Sequence, residues 1–155
     1  MTFGKINSFY ACMLKEEKEA VARSFGLSAN VFQSLIYLLA DFRNICAHGE
    51  RVYCYAKDKD KEKRIYVIPQ LPYHNMLSIP KSNKGYKYGT HDVLALLIAM
   101  KYFLQPDRYS KLIRQINYAL HQKLQHRLHS VSISAVENLM GLNGTWIDLG
   151  TMSKQ

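Results

Sequence analysis

Apolar positions recur at intervals of three and four along most of the chain, the spacing of helices that bury one side. Residues 5–14 place Ile6, Phe9, Tyr10, Met13 and Leu14 at that interval. A second helix follows over 15–25, with Glu16, Glu17 and Glu19 near its start, where the helix dipole favours negative charge, and Gly26 as its stop. Ser28 is a good N-cap for a third helix over 28–47, and Gly49 lies just past its end. Along it Phe32, Leu35, Leu39, Phe42 and Cys46 form one stripe. At about 100° per residue, Tyr37, Asp41, Asn44 and His48 fall opposite that stripe, with Arg43 at its margin.

From Arg51 the periodicity stops. Residues 57–64 are charged throughout, most simply a solvated loop or hairpin tip. The segment 65–68 reads as a short strand with 52–55 as its partner, and Pro69, Pro72 and Pro80 then hold the chain extended or looped. Residues 81–89 alternate basic and aromatic side chains, a composition shared by single-strand-binding loops and by flexible surface loops. Thr90 opens a fourth helix to about Leu104, apolar on nearly every side and therefore central to a bundle. A fifth helix over 108–128 presents Leu112, Ile116, Leu120, Leu124 and Leu128 as a ridge, with Arg108, Lys111, Arg114 and Gln122 pointing elsewhere. Ser134 caps a last helix to Met140, Gly141 ends it, and Asn143-Gly144 turns into Trp146. The pattern predicts a mainly α helical bundle with a short extended or β-hairpin insertion.

At 155 residues the chain suits a single domain, 1–155. Twenty-one Lys and Arg against 12 Asp and Glu leave a net charge of +9, which favours polyanions, nucleic acid before membrane. The apolar run 93–100 is far short of the roughly 20 residues of a membrane span. Three cysteines (Cys12, Cys46, Cys54) have no zinc-like spacing and read as free thiols of a reducing compartment. With no signal-like start after Met1, these features predict a soluble cytoplasmic protein with no membrane partner.

The chemistry concentrates in Asp41 to Arg51. Within it Arg43 offers a planar fork for phosphate, Asn44 an orienting amide, and His48 an imidazole, a group that titrates near neutrality and serves as base or acid. Asn44 and His48, four apart, share a face, whereas Arg43 and His48, five apart, lie about 140° from each other on an ideal helix. Two copies of the helix about a two-fold axis bring both sets into one cleft, so a homodimer is expected. The same spacing also suits His48 as a helix C-terminal residue and Arg43 as the partner of a nearby carboxylate.

Elsewhere, His126 and His129 are three apart but His121 is poorly placed beside them, and no carboxylate or cysteine is near in sequence, so no metal site is expected. His74 and His91 stand alone, in a loop and early in a helix. No glycine-rich phosphate loop, Ser-His-Asp order or carboxylate pair occurs, and no cofactor is implied. The basic segment 101–129 suits RNA phosphates.

Phe3-Gly4-Lys5, Phe25-Gly26-Leu27-Ser28, Arg43-Asn44-Ile45-Cys46-Ala47-His48 with Arg51, and Met140-Gly141-Leu142 through Trp146 resemble the abortive-infection (Abi-like) bacteriophage-resistance family. That family belongs to the HEPN superfamily, whose Arg-x4-6-His motif marks metal-independent ribonucleases acting as dimers. The resemblance implies an HEPN-like fold and an endoribonuclease toxin of phage defence, with Arg43, Asn44 and His48 catalytic. It implies RNA as substrate, with Arg51 matching the Arg that follows the motif in the family; Lys84, Tyr86, Lys87 and Tyr88 of the basic–aromatic loop and Lys111 and Arg114 of the basic segment are the other candidate RNA contacts. A homodimer is the expected assembly, and an antitoxin or an N-terminal companion segment would be a further partner, since the chain resembles the C-terminal half of a typical member. At Arg51-Val52-Tyr53-Cys54 the family commonly has Asn in place of Cys54. The alternative is a non-catalytic RNA- or protein-binding module of the same fold.

Overall fold

A computed structural model describes residues 3–57, 66–83, 85–127, 130–142 and 144–153. Seven α-helices are present among them: α1 (Phe3–Cys12), α2 (Lys15–Ser24), α3 (Ala29–Ala47), α4 (Pro72–Met76), α5 (Val93–Phe103), α6 (Pro106–Tyr118) and α7 (Ile133–Met140). A two-stranded antiparallel hairpin, β1 (Lys81–Ser82) with β2 (Gly85–Tyr86), precedes α5. The expected mainly α architecture with a hairpin insertion is observed, but the hairpin is formed within 81–86, a stretch read as a loop, and residues 66–68 are not a strand. No single helix among the described residues is long and apolar enough to cross a membrane, and only α2 and α3 together, bent by 73°, have the length and composition. The apolar side of α3 is buried in the protein itself.

The core forms around α3 and α5. Leu35, Leu38, Phe42 and Ile45 of α3 meet Leu94, Leu97 and Ile98 of α5, together with Tyr109 and Ile113 of α6 and Trp146 and Leu149 from the terminal 3-10 helix Trp146–Gly150. Each fully buried side chain of this kind stabilises the fold by roughly 1.5–3 kcal/mol. A second cluster, Tyr10, Ala22, Phe32 and Ile36, joins α1 and α2 to α3, and Leu27 and Phe103 pack against both clusters. Lys101 is buried here because Nζ donates to the carbonyls of Leu149 (2.6 Å) and Met152 (2.7 Å) and lies over the Tyr109 ring. The terminal helix is thereby fastened to the core. Burial raises the Tyr102 phenol to about 12, and it raises that of Tyr109 as well.

Several expected boundaries and faces differ. In α1 only Tyr10 of the apolar stripe is buried, its hydroxyl donating to Lys18 O (2.9 Å), while Ile6, Phe9 and Leu14 are exposed. On α3 the buried line runs through Leu38 and Ile45, and Cys46 is exposed. Residues 52–55 are not a strand but part of a 3-10 helix, Val52–Lys57, against which α7 packs. Ile65 and the charged run beyond Lys57 lie outside the described residues. Pro72 opens α4 at its first turn, where a missing N–H costs nothing.

Asp92, not Thr90, caps α5, accepting from Ala95 N–H (3.0 Å) and Gly89 N–H (2.8 Å). Likewise Pro106 starts α6 two residues early, and Ser132 rather than Ser134 caps α7. Beyond Tyr118 the helix widens into a π turn, Ala119–Leu124. Along the expected ridge only Leu120 is buried, the α6 core line running instead through Tyr109 and Ile113, and Leu128 lies outside the described residues. Gly141 ends α7 with φ +75°, a conformation glycine adopts freely, and a Cβ there would run into the Asp92 carboxylate.

Candidate functional site

Ser28 begins α3 by accepting from Val31 N–H (3.4 Å). Its end is a Schellman turn: Gly49 N–H donates to Cys46 O (3.2 Å) and Glu50 N–H to Ile45 O (3.1 Å), with Gly49 at φ +69°. His48 is the last residue before that reversal, and Arg51 the second after it. The apolar stripe roots the helix in the core, so its final turn and a half holds Arg43, Asn44 and His48 exposed. Arg51 is exposed beside them in sequence.

Arg43 Nη1 donates to Asn44 Oδ1 (3.2 Å), leaving other guanidinium donors for a ligand. Among the described residues, Arg43 forms no ion pair with a carboxylate, and nothing hydrogen-bonds the His48 ring. The structure therefore brings Arg43 and Asn44 into direct contact and sets His48 one turn on from Asn44.

Sequence spacing did not reveal how the N-terminal part of this face is covered. Tyr66 N–H donates to Asp41 Oδ2 (2.8 Å), and the Tyr66 ring stacks on Tyr37 at 5.1 Å. Burial raises the Asp41 carboxyl above its ordinary range, the Tyr66 N–H opposing that shift. The chain thus returns after its charged insertion to lie on α3 at Asp41 and Tyr37, about two to three turns before His48.

The remaining candidates are dispersed over other elements. Lys84 lies outside the described residues. Tyr86 is engaged on several sides: its ring stacks on His74 (4.7 Å), Lys81 Nζ sits 4.9 Å from its centroid, and its hydroxyl donates to Asn75 Oδ1 (2.6 Å). Lys87 is exposed and Tyr88 half-buried. Burial and the neighbouring Asp92 charge raise the Tyr88 phenol. Lys111 and Arg114 are exposed on α6.

Two histidines depart from expectation. His74, read as an isolated loop residue, is fully buried in α4, where Nδ1 accepts from Leu71 N–H (3.0 Å) and Nε2 donates to Gly89 O (2.7 Å). Its two ring nitrogens tie α4 to the approach of α5, a structural role. His121 does have a carboxylate at hand, since Nε2 is 3.2 Å from Glu137 Oε1, an oxygen that also accepts from Trp146 Nε1 (3.3 Å). Glu137 is sixteen residues away along the chain, which is why local spacing missed it. Among the described residues no three His, Cys, Asp or Glu side chains group as metal ligands; His126 is exposed, and His129 lies outside them.

Residues 1–54 match the model of the family described as Abi-like protein. The match spans α1 to α3, the Schellman turn and the run from Arg43 through Cys54, while Met140–Trp146 falls outside it. No curated protein and no solved structure matches the chain.

Proposed function

We propose, from the premise that residues 1–54 belong to the Abi-like family, that this chain is a metal-independent endoribonuclease of the HEPN type acting in abortive infection. The carrying observation is the exposed constellation at the end of a core-anchored helix, Arg43, Asn44 and His48, within the family-matched segment. In the reaction the 2′-oxygen of RNA attacks the adjacent phosphorus and the 5′-oxygen departs. One proton leaves the 2′-hydroxyl and one reaches the leaving oxygen, giving a 2′,3′-cyclic phosphate and a 5′-hydroxyl. His48 transfers protons, Arg43 neutralises charge on the phosphoryl oxygens, and Asn44 holds the Arg43 fork through the bond between them. Because Arg43 and His48 diverge by about 140° around α3, the site is completed by a second copy of the helix.

Full-length protein incubated with RNA in EDTA is expected to yield cyclic-phosphate ends. His48→Ala and Arg43→Ala should each lower the rate by about 100-fold or more. Equal cutting by wild type and both variants would reject the assignment. The net charge of +9 favours a second reading, a non-catalytic RNA- or protein-binding module. For RNA, that reading predicts salt-sensitive retention without cut products.

A further inference from the structure

A separate surface of the bundle also has the chemistry of a nucleic-acid contact. Lys111, Arg114 and Tyr118 stand at i, i+3 and i+7 on the solvent side of α6, with Gln115 between them, and they line one shallow groove. Lys111 and Arg114 are exposed, and Tyr118 is 56% exposed despite its size.

A continuing α-helix would carry Lys123 about 140° away from Tyr118. The π turn over Ala119–Leu124 has i→i+5 closure and so adds a residue per turn. Lys123 is thereby brought back beside the stripe, its Nζ 5.8 Å from the Tyr118 ring centroid. The result is three cations sharing one groove with an open aromatic ring, Lys123 being the one set against it. Asp107, one turn before Lys111, is the acidic residue of this stripe, while Glu137 nearby is engaged by His121 and Trp146.

We propose that this face binds single-stranded RNA, with a base stacked on Tyr118 and phosphates held by Lys111, Arg114 and Lys123. A row of cations alone fits any polyanion. The exposed ring among them distinguishes a single strand, whose bases are free to stack, from a duplex or an acidic protein. The choice of RNA over DNA rests on the ribonuclease reading. The surface itself does not, because it contains none of Arg43, Asn44 or His48.

The test is fluorescence anisotropy of a labelled oligouridylate with the full-length His48→Ala chain in EDTA, each sample checked on a gel for intact RNA. Tyr118→Ala should weaken binding about ten-fold, and Tyr118→Phe should restore it. Lys111→Ala with Arg114→Ala should weaken binding further and reduce the salt slope by about 1.4, the share of two phosphate contacts on a single strand. Circular dichroism confirms that each variant is folded.

The proposal is overturned if Tyr118→Ala and the double variant bind as wild type does. It is also overturned if duplex RNA binds equally well with Tyr118→Ala silent, or if an acidic polypeptide binds where oligouridylate does not. Intact binding with no cleavage by the wild type would instead count against the nuclease reading alone.

Discussion

Asp92 shows how one side chain can hold several elements and leave a signature in the pH dependence of stability. It is 7% exposed, caps α5 and lies against the Gly141 turn that closes α7. Burial raises its carboxyl above the ordinary 3.8, outweighing the N–H groups of Ala95 and Gly89 and the charge of His91, which pull the other way. The folded state therefore binds the proton more tightly than the unfolded chain. Asp92's contribution is full below pH 3.8 and is lost as pH rises through the folded value. Asp41 shifts in the same direction. Urea titrations of wild type and Asp92→Asn from about pH 4 to about pH 7 should show the wild type losing ground to the variant as pH rises. A difference independent of pH would contradict this.

For whole elements, the end of α3 depends on a single backbone conformation. Gly49 at φ +69° has open space around the position a Cβ would take, so Gly49→Ala tests backbone strain without a steric clash. Its expected cost is about 1 kcal/mol in a denaturant titration. On the ribonuclease reading proposed above, cleavage should fall by more than that loss explains, because the same turn sets the direction in which His48 and Arg51 project.

This helix was the most legible part of the sequence. Ser28, the apolar period and Gly49 are local signals; the cap and the stop act as their chemistry suggests, and the period marks the helix although its buried line takes Leu38 and Ile45 and leaves Cys46 out. What was not legible depended on tertiary partners. Asp92 replaced Thr90 as cap because its carboxylate also meets Gly89, a choice made by packing. Pro72 looked like a breaker and is a helix start, since proline is tolerated only where no N–H is needed. The π turn leaves no trace in an i, i+4 pattern, and the Arg43–Asn44 contact depends on side-chain rotation rather than on spacing. Candidate residues were therefore readable one by one, but the Tyr37–Tyr66–Asp41 cover over their helix required the folded chain.

At the scale of the whole molecule, the composite-site reading has a stoichiometric consequence. If Arg43 of one protomer works with His48 of the other, mixing inactive Arg43→Ala and His48→Ala chains regenerates one intact site in every mixed dimer. Random exchange should then restore about a quarter of wild-type cleavage. A site confined to one protomer would regain nothing on mixing, so the recovered rate separates the two arrangements.

The chain has one tryptophan, Trp146, which is 2% exposed and shares the Glu137 oxygen with His121. Its indole is thus an intrinsic optical probe placed where the terminal turn, α7 and the π turn come together. Blue-shifted emission is expected from the native protein, moving to the red when the Lys101 fastening releases that turn, as in Lys101→Met. The detachment of one corner of the bundle can then be followed without adding a label.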